Sequence, residues 1–508
     1  MLLLLPAALL LISLLAILIL AQIPRTARYV WLIAIGGAGL SWISLFSLYP
    51  FLPLGIELPL WGLPDERLAF QVEMPGWIYA LTLLSLTLAV LLADLPNEIP
   101  QRPVIAFGNL ILALMGMMAI FSATPLTLAF LWAAIDLSEW VALVRSAASP
   151  HAIRSLSLGM GLRILGLLLL LWAGVVSLRE GIPLRVGQIA PQATPFLAIA
   201  LALRLGIFPL HLPYPQESLL RRGFGTQLRA VAIASAVALL AYLPAIPSPL
   251  LWWLVIPLGL AGLLASWNWL NASDALDGRV FWGMSAGSMA IFSALVGDRE
   301  GSLAWGVLTL SGGGLLFLLS FDHRALRAFT LIGWWALSGL PYSLAAASAW
   351  DVYPMGMRIG MGILQTLLGL GYLLHWQRKR PPLEEQPTWV RNTHFLAILL
   401  LSILLIALGF WQPAPVSQAL FALPAAILTW ALFLLRRRLR ILSPPRAHWI
   451  HPTGSRSWRQ LSETVLDLLY RLLNALFQGF NNLLEGASGL LWSLLVLLIL
   501  LTFFLTRP

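Results

Sequence analysis

Arg163, Arg204 and Arg229 stand inside long apolar runs, where a charged side chain costs at least about 2.5 kcal/mol at the bilayer centre. Each is therefore held there by a partner or by a task. Asp136 and Glu139 lie three residues apart in a further apolar run, on roughly the same face of a helix. A guanidinium stays protonated at any reachable pH. It can hold an anion or a water chain and set a field, but it cannot relay a proton by releasing one. Carboxylates can, and so can the imidazole of His211, two residues after Pro209, which exchanges protons near pH 7. A structural reading stands beside the chemical one. Arg204 and Arg229 can pair with Asp136 or Glu139 and lock helices together. His211 can satisfy carbonyls freed by Pro209. Arg163 is expected to snorkel, and His375, at a span end, to be interfacial.

The elements that carry these residues follow from composition. The chain has 508 residues, of which 59% are hydrophobic and 10% charged, as in a polytopic membrane protein. Sixteen apolar runs are long enough to cross about 30 Å of hydrocarbon as helices. They lie near 2–22, 29–49, 76–93, 104–121, 125–144, 155–177, 194–209, 227–243, 250–268, 279–296, 302–321, 329–349, 356–376, 394–411, 416–435 and 487–505. The short alternating segments of a barrel are missing. The first run lacks a basic n-region and a small-residue cleavage site, and reads as a retained helix. Loops counted as odd hold most of the arginines and the single lysine, Lys379, whereas even loops hold only Arg67, Arg179, Arg185 and Arg299. The positive-inside rule then puts both termini outside and the odd loops in the cytoplasm. The basic excess reads as topology and not as a nucleic-acid surface. With no cysteine, disulfides, iron–sulfur clusters and thiolate metal sites are excluded, and no cofactor, metal ligand set or catalytic residue is expected.

Three regions emerge. Residues 1–103 hold the first spans and, over 50–75, Pro and Gly turns with short alternating segments that predict an external hairpin. Residues 104–376 form the core. Residues 377–508 hold the last spans and, over 458–484, an amphipathic helix.

The segment "ALALRLGIFPLHLPYPQESLLRRGFGTQLRAVAIASAVALL" resembles the antiporter-like membrane subunits of respiratory complex I (NADH-quinone oxidoreductase) and the large subunits of Mrp-type cation/proton antiporters. In that family a lysine on an apolar helix precedes a Pro-hydrophobic-His step, and a second lysine follows on the next span. Here Arg204 takes the first lysine's place, Phe208-Pro209-Leu210-His211 matches the step, and Arg229 falls where the second lysine is expected. "GLPDERLAFQVEMPGWIYALTLLSLTLAVLLA", "NLILALMGMMAIFSATPLTLAFLWAAIDLSEWVALV", "DALDGRVFWGMSAGSMAIF" and "ALSGLPYSLAAASAW" resemble further family segments in the same order.

The resemblance implies an all-α fold of about sixteen transmembrane helices with two inverted repeats, each containing a broken helix. Pro209 would mark the first break and Gly339-Leu340-Pro341 the second. It implies a proton- or cation-translocating subunit with other membrane subunits and the lipid bilayer as partners, no redox centre of its own, and residence in a bacterial inner membrane. The path would run through Asp136 or Glu139, Arg204, His211 and Arg229. This chain departs from the family along that line. The family's glutamate aligns to Ala133, its two lysines are arginines, and its span-twelve charge falls on Ala349, with Asp351 two residues on. The departures favour a second reading, a degenerate, non-conducting paralogue kept as a scaffold. A third, a lipid-processing or glycosyl-transferring enzyme, has only scattered loop carboxylates such as Asp65, Glu66 and Glu73 behind it.

Overall fold

The computed structural model describes residues 2–439 apart from 24, 26–28, 61–62, 95–102, 148–149, 184, 186, 209–219, 247 and 412–415. The expected span 487–505 and the amphipathic segment 458–484 lie outside these residues. The other fifteen expected runs each contain a helix, though the helix in 329–349 stops at Leu337 and that in 194–209 at Arg204. These helices are α1 (Leu5–Ala21), α2 (Val30–Leu48), α3 (Met74–Ala93), α4 (Pro103–Ile120), α5 (Pro125–Ser146), α6 (Pro150–Arg179), α7 (Thr194–Arg204), α8 (Arg222–Leu240), α9 (Ser248–Asn271), α10 (Arg279–Leu295), α11 (Arg299–Leu318), α12 (Arg324–Leu337), α13 (Met355–Trp376), α14 (Thr388–Trp411) and α15 (Val416–Leu439). Twelve are long and apolar enough to cross a membrane. The exceptions are α7, α10 and α12, with 11, 17 and 14 residues.

Two of these short helices stop where a backbone demands glycine. At the end of α7, Gly206 has φ +75°, and its N–H bonds to Leu203 O while Ile207 N–H bonds to Ala202 O. This paired closure ends a helix and requires a left-handed residue. The helix therefore stops at Arg204 and not at 209 as expected, and Pro209 and His211 lie outside the described residues. After α12, Gly339 has φ +73° and lies so close to Ala422 that a Cβ would overlap it. Pro341 follows in a turn before a short 3₁₀ segment, Leu344–Ala347.

Helices α3, α8, α10 and α11 form the buried centre of the described bundle, while α1, α2, α6 and α9 expose apolar side chains such as Ile12, Leu168 and Trp253, as a lipid-facing ring does. Small residues let the central helices approach. Gly306 receives the Tyr79 ring, Gly313 the Trp282 indole, and Gly314 the side chain of Leu86. A π-helical turn over Leu308–Gly312 interrupts α11, and there the carbonyl of Thr309 accepts a 2.9 Å bond from Trp282 Nε1. His375 is fully buried, bonded through Nε2 to Trp269 O at 2.8 Å. It lies in the last turn of α13, with the indole of Trp269 packed over it at 4.1 Å.

The segment after α2 folds as an antiparallel ribbon, β1 (Leu54–Leu60) with β2 (Leu63–Val72), Leu54 opposite Val72. Strand β2 is tied to the start of α5. Gln71 N bonds to Phe121 O, Ala123 N to Ala69 O, and Ala69 N to Thr127 Oγ1. Thr124 caps α5 and Pro125 occupies its first turn. The ribbon thus sets the helix that carries Asp136 and Glu139.

At the start of α11, whose first turn accepts a bond from Tyr79 near the start of α3, Asp298 caps the helix. It accepts from Gly301 N at 2.9 Å, Ala349 N at 3.0 Å and Tyr353 Oη at 2.5 Å. Burial lifts its pKa above the usual carboxylate range, and the bonds from Tyr353, Gly301 and Ala349 partly offset this. Asp298→Ala would leave the N–H groups of Gly301 and Ala349 without an acceptor, and Tyr353 with Ser293 Oγ. We expect it to destabilise the protein by about 3 kcal/mol, read as a lower thermal midpoint in detergent, with Asp298→Asn intermediate.

Candidate ion-pair site

The two acids and three arginines singled out in the sequence meet in one buried network. Asp136 and Glu139 each retain 3% of their exposure and share a face of α5, one turn apart. Arg204, the last residue of α7, binds Asp136 through Nη1 to both carboxylate oxygens, at 3.0 and 2.9 Å. Its Nε donates to Ser235 Oγ of α8 at 3.3 Å, and its guanidinium lies 4.3 Å from the centre of the fully buried Trp132 ring. Arg229, on α8, pairs with Glu139. Arg163, on α6, reaches both acids. Nη1 bonds to Asp136 Oδ1 at 3.0 Å and to Glu139 Oε2, while Nη2 bonds to Glu139 Oε1 at 3.0 Å.

Each position follows from local structure. Because Gly206 ends α7, Arg204 sits among the terminal carbonyls of its helix, where the macrodipole favours a cation. The ribbon holds α5 in register, and α8 packs against both α5 and α7. Arg163 does not snorkel. It is the bridge, because α5 and α6 run antiparallel through a short connection and residues equally far from that turn share a depth. Asp136 and Arg163 lie almost equally far from position 149. That near-symmetry about position 149 is the sequence signal for the contact.

A cavity of about 70 Å³ adjoins the network, lined by Asp136, Glu139, Arg163, Arg204 and Arg229 and, from the start of α10, by Arg279. It has room for several waters. Arg204 Nη2 is buried and has no hydrogen-bond partner among the described residues. Arg279, which the sequence reading met only as part of a motif, is buried at 2% exposure. Its Nη1 bonds to Arg222 O and Thr226 Oγ1, both at 3.4 Å, and it fits only because position 225 is glycine. Ala133, where the family's glutamate would align, is not among the lining residues. Ala349 serves Asp298, Asp351 is exposed, and neither lines the cavity.

The arrangement sets two carboxylates among three guanidiniums, ties α5 to α6, α7 and α8, and leaves water-sized space beside the pairs. Removing one member strands a buried charge, which typically costs 3–5 kcal/mol. Arg204→Ala is therefore expected to destabilise the protein by about 3 kcal/mol, while Arg204→Ala combined with Asp136→Ala recovers most of the loss. A double-mutant cycle on thermal unfolding reads the coupling.

No family model matches the chain. A curated relative, a phospho-N-acetylmuramoyl-pentapeptide-transferase from Synechococcus sp., is 33% identical over 141 residues, 27% of this chain and 40% of that protein. Solved structures match over far more of the length. A chain of the Mrp complex from Dietzia sp. aligns with TM-score 0.67 and 15% identity over 98% of this chain, which spans 63% of that one. A chain of the archaeal membrane-bound sulfane sulfur reductase gives 0.63 and 13%, covering 97% and 99% of the two chains. One from Thermus thermophilus respiratory complex I gives 0.60 and 18%, covering 84% and 100%. At these identities the likeness is one of fold, and the chain has the antiporter-like fold of the membrane subunits of these complexes.

Proposed function

We propose that this chain is a proton- or cation-translocating membrane subunit of a complex I-like or Mrp-like assembly, set in a bacterial inner membrane with both termini on the outer face. Electron transfer, where the assembly performs it, belongs to partner subunits. The observation that carries the reading is the five-membered network of Asp136, Glu139, Arg163, Arg204 and Arg229 beside a water-sized cavity. Because arginine holds its proton, the groups that take up and release one are the carboxylates, with water between them. A proton arriving on Glu139 cancels its hold on Arg163 and Arg229. Arg163 then bears on Asp136 alone. Loss of that proton restores the bridge. The arginines thus act through their field and their choice of partner. His211 and the helix breaks near Pro209, Gly339 and Pro341 are assigned to the path by family resemblance, within two inverted repeats.

The second reading, a non-conducting scaffold, rests on the same pairs. Every one of the three guanidiniums already holds a carboxylate, and together they cross-link four helices. Proton flux into proteoliposomes containing the purified assembly separates the two. On the first reading the wild type moves protons, and Glu139→Gln or Asp136→Asn lowers flux at least tenfold while thermal stability shows the variants folded. Absent flux in a fully assembled wild type, or flux unchanged in both variants, leaves the scaffold.

A further inference from the structure

A second carboxylate site, not used above, lies where α3 ends. Asp94 is the C-cap residue of α3. One oxygen accepts from Gly223 N at 3.2 Å. The other, Oδ2, is shielded from solvent and has no hydrogen-bond partner among the described residues. The carboxyl group fills the space that a side chain at position 223 would take, just as Arg279 fills that at 225. Two glycines in the first turn of α8 thus seat an acid and a base side by side. Asp94, Asn109 and Arg221 line a small cavity of about 30 Å³. Asn109, at 1% exposure, also has an acceptor, Oδ1, without a partner. Two residues that line one water-sized space thus each carry a buried acceptor without a donor among the described residues, and a water or hydronium in that space can supply one.

We propose that Asp94 is the proton-uptake carboxylate on the arginine-rich face of this chain, taking a proton from water in the Asn109–Arg221 cavity and acting through Arg279 on the cavity that Asp136 and Glu139 line. The role in transport rests on the function proposed above; the protonation itself does not. In the uptake step one O–H bond of hydronium breaks as an O–H bond forms at Asp94, and the bonding electron pair stays on the oxygen that leaves as water. The charged groups that face Asp94 are Arg221 and Arg222 at the start of α8 and Arg279 at the start of α10; α4 offers Asn109 among the described residues. Neutralising Asp94 removes a carboxylate facing these three cations and so raises the positive field that Arg279 brings to the larger cavity. Burial raises the Asp94 pKa to about 6, against the opposing pull of Gly223 N–H and the three arginines. Between the ordinary carboxylate value and about 6, the folded chain keeps a proton that the unfolded chain has released. Stability conferred at low pH is therefore lost as pH rises through that window.

The test is infrared difference spectroscopy on the full-length purified protein in lipid, titrated from pH 8 to pH 4, alongside proteoliposome flux. The expected result is a protonated-carboxyl band with a midpoint near pH 6 that Asp94→Asn removes, and that Gly223→Ala shifts by displacing the carboxyl group. Asp94→Asn should also lower flux about tenfold and flatten its dependence on pH over that window, with Asp94→Glu restoring part of it. A band unchanged in Asp94→Asn overturns the proposal, as does a variant whose flux and pH profile equal those of wild type. A wild type that shows the band yet moves no protons overturns the translocation reading while leaving the Asp94 protonation site standing.

Discussion

Charge in a medium that cannot solvate it is the constraint on which this bundle turns. An isolated carboxylate at the depth of Asp136 would be neutralised or driven toward the headgroups. Instead Asp136 and Glu139 face three guanidiniums drawn from three other helices. The pairs are formed across helices and not along one, so each specifies a neighbour and a register as well as satisfying a charge. The ribbon that holds the start of α5, the glycine that ends α7 at Arg204 and the tight approach of α8 all serve to bring these groups within bonding reach.

The same economy governs the uncharged centre. Two large aromatic side chains are admitted where a facing residue is glycine, Tyr79 by Gly306 and Trp282 by Gly313, and the hydroxyl of the one and the indole N–H of the other find main-chain acceptors. The π turn in α11 belongs to this pattern. It frees a carbonyl in the middle of a buried helix, and Trp282 uses it. Among the buried polar atoms without a partner in the described residues, the oxygens of Asp94 and Asn109 belong to two residues that line one cavity.

Much of the architecture was legible because the signals were long. Apolar runs of this length in a bilayer have one solution, and each of the fifteen runs within the described residues contains a helix, twelve of them long and apolar enough to span. Helix ends were less legible. A run such as 194–209 stays apolar past Arg204, so hydropathy continues where the backbone has already turned at Gly206. The site was half legible. Charges in apolar runs named Arg204, Arg229, Asp136 and Glu139, yet a single sequence gives helix phase too coarsely to say who faces whom. Arg163 went to solvent on that reading because no family position accounted for it. Arg279 and Asp94 sit at span ends, where hydropathy treats any charge as ordinary; only packing against Gly225 and Gly223 shows them turned inward.

The bridge made by Arg163 has an electrical consequence. The five charges of the network leave one positive charge in excess, and Arg163 spans two acids separated by about 4.5 Å along α5. If the network lies within the span, moving its charge from one acid to the other crosses about a sixth of a 30 Å hydrocarbon layer. One elementary charge crossing the whole layer feels about 2.3 kcal/mol per 100 mV, so this shift is worth about 0.4 kcal/mol. That is too little to break a buried pair, but two nearly equal pairings would be tilted by it. The membrane voltage then biases by about twofold which acid the arginine prefers, and the network behaves as a small capacitor whose plates are neighbouring turns of one helix.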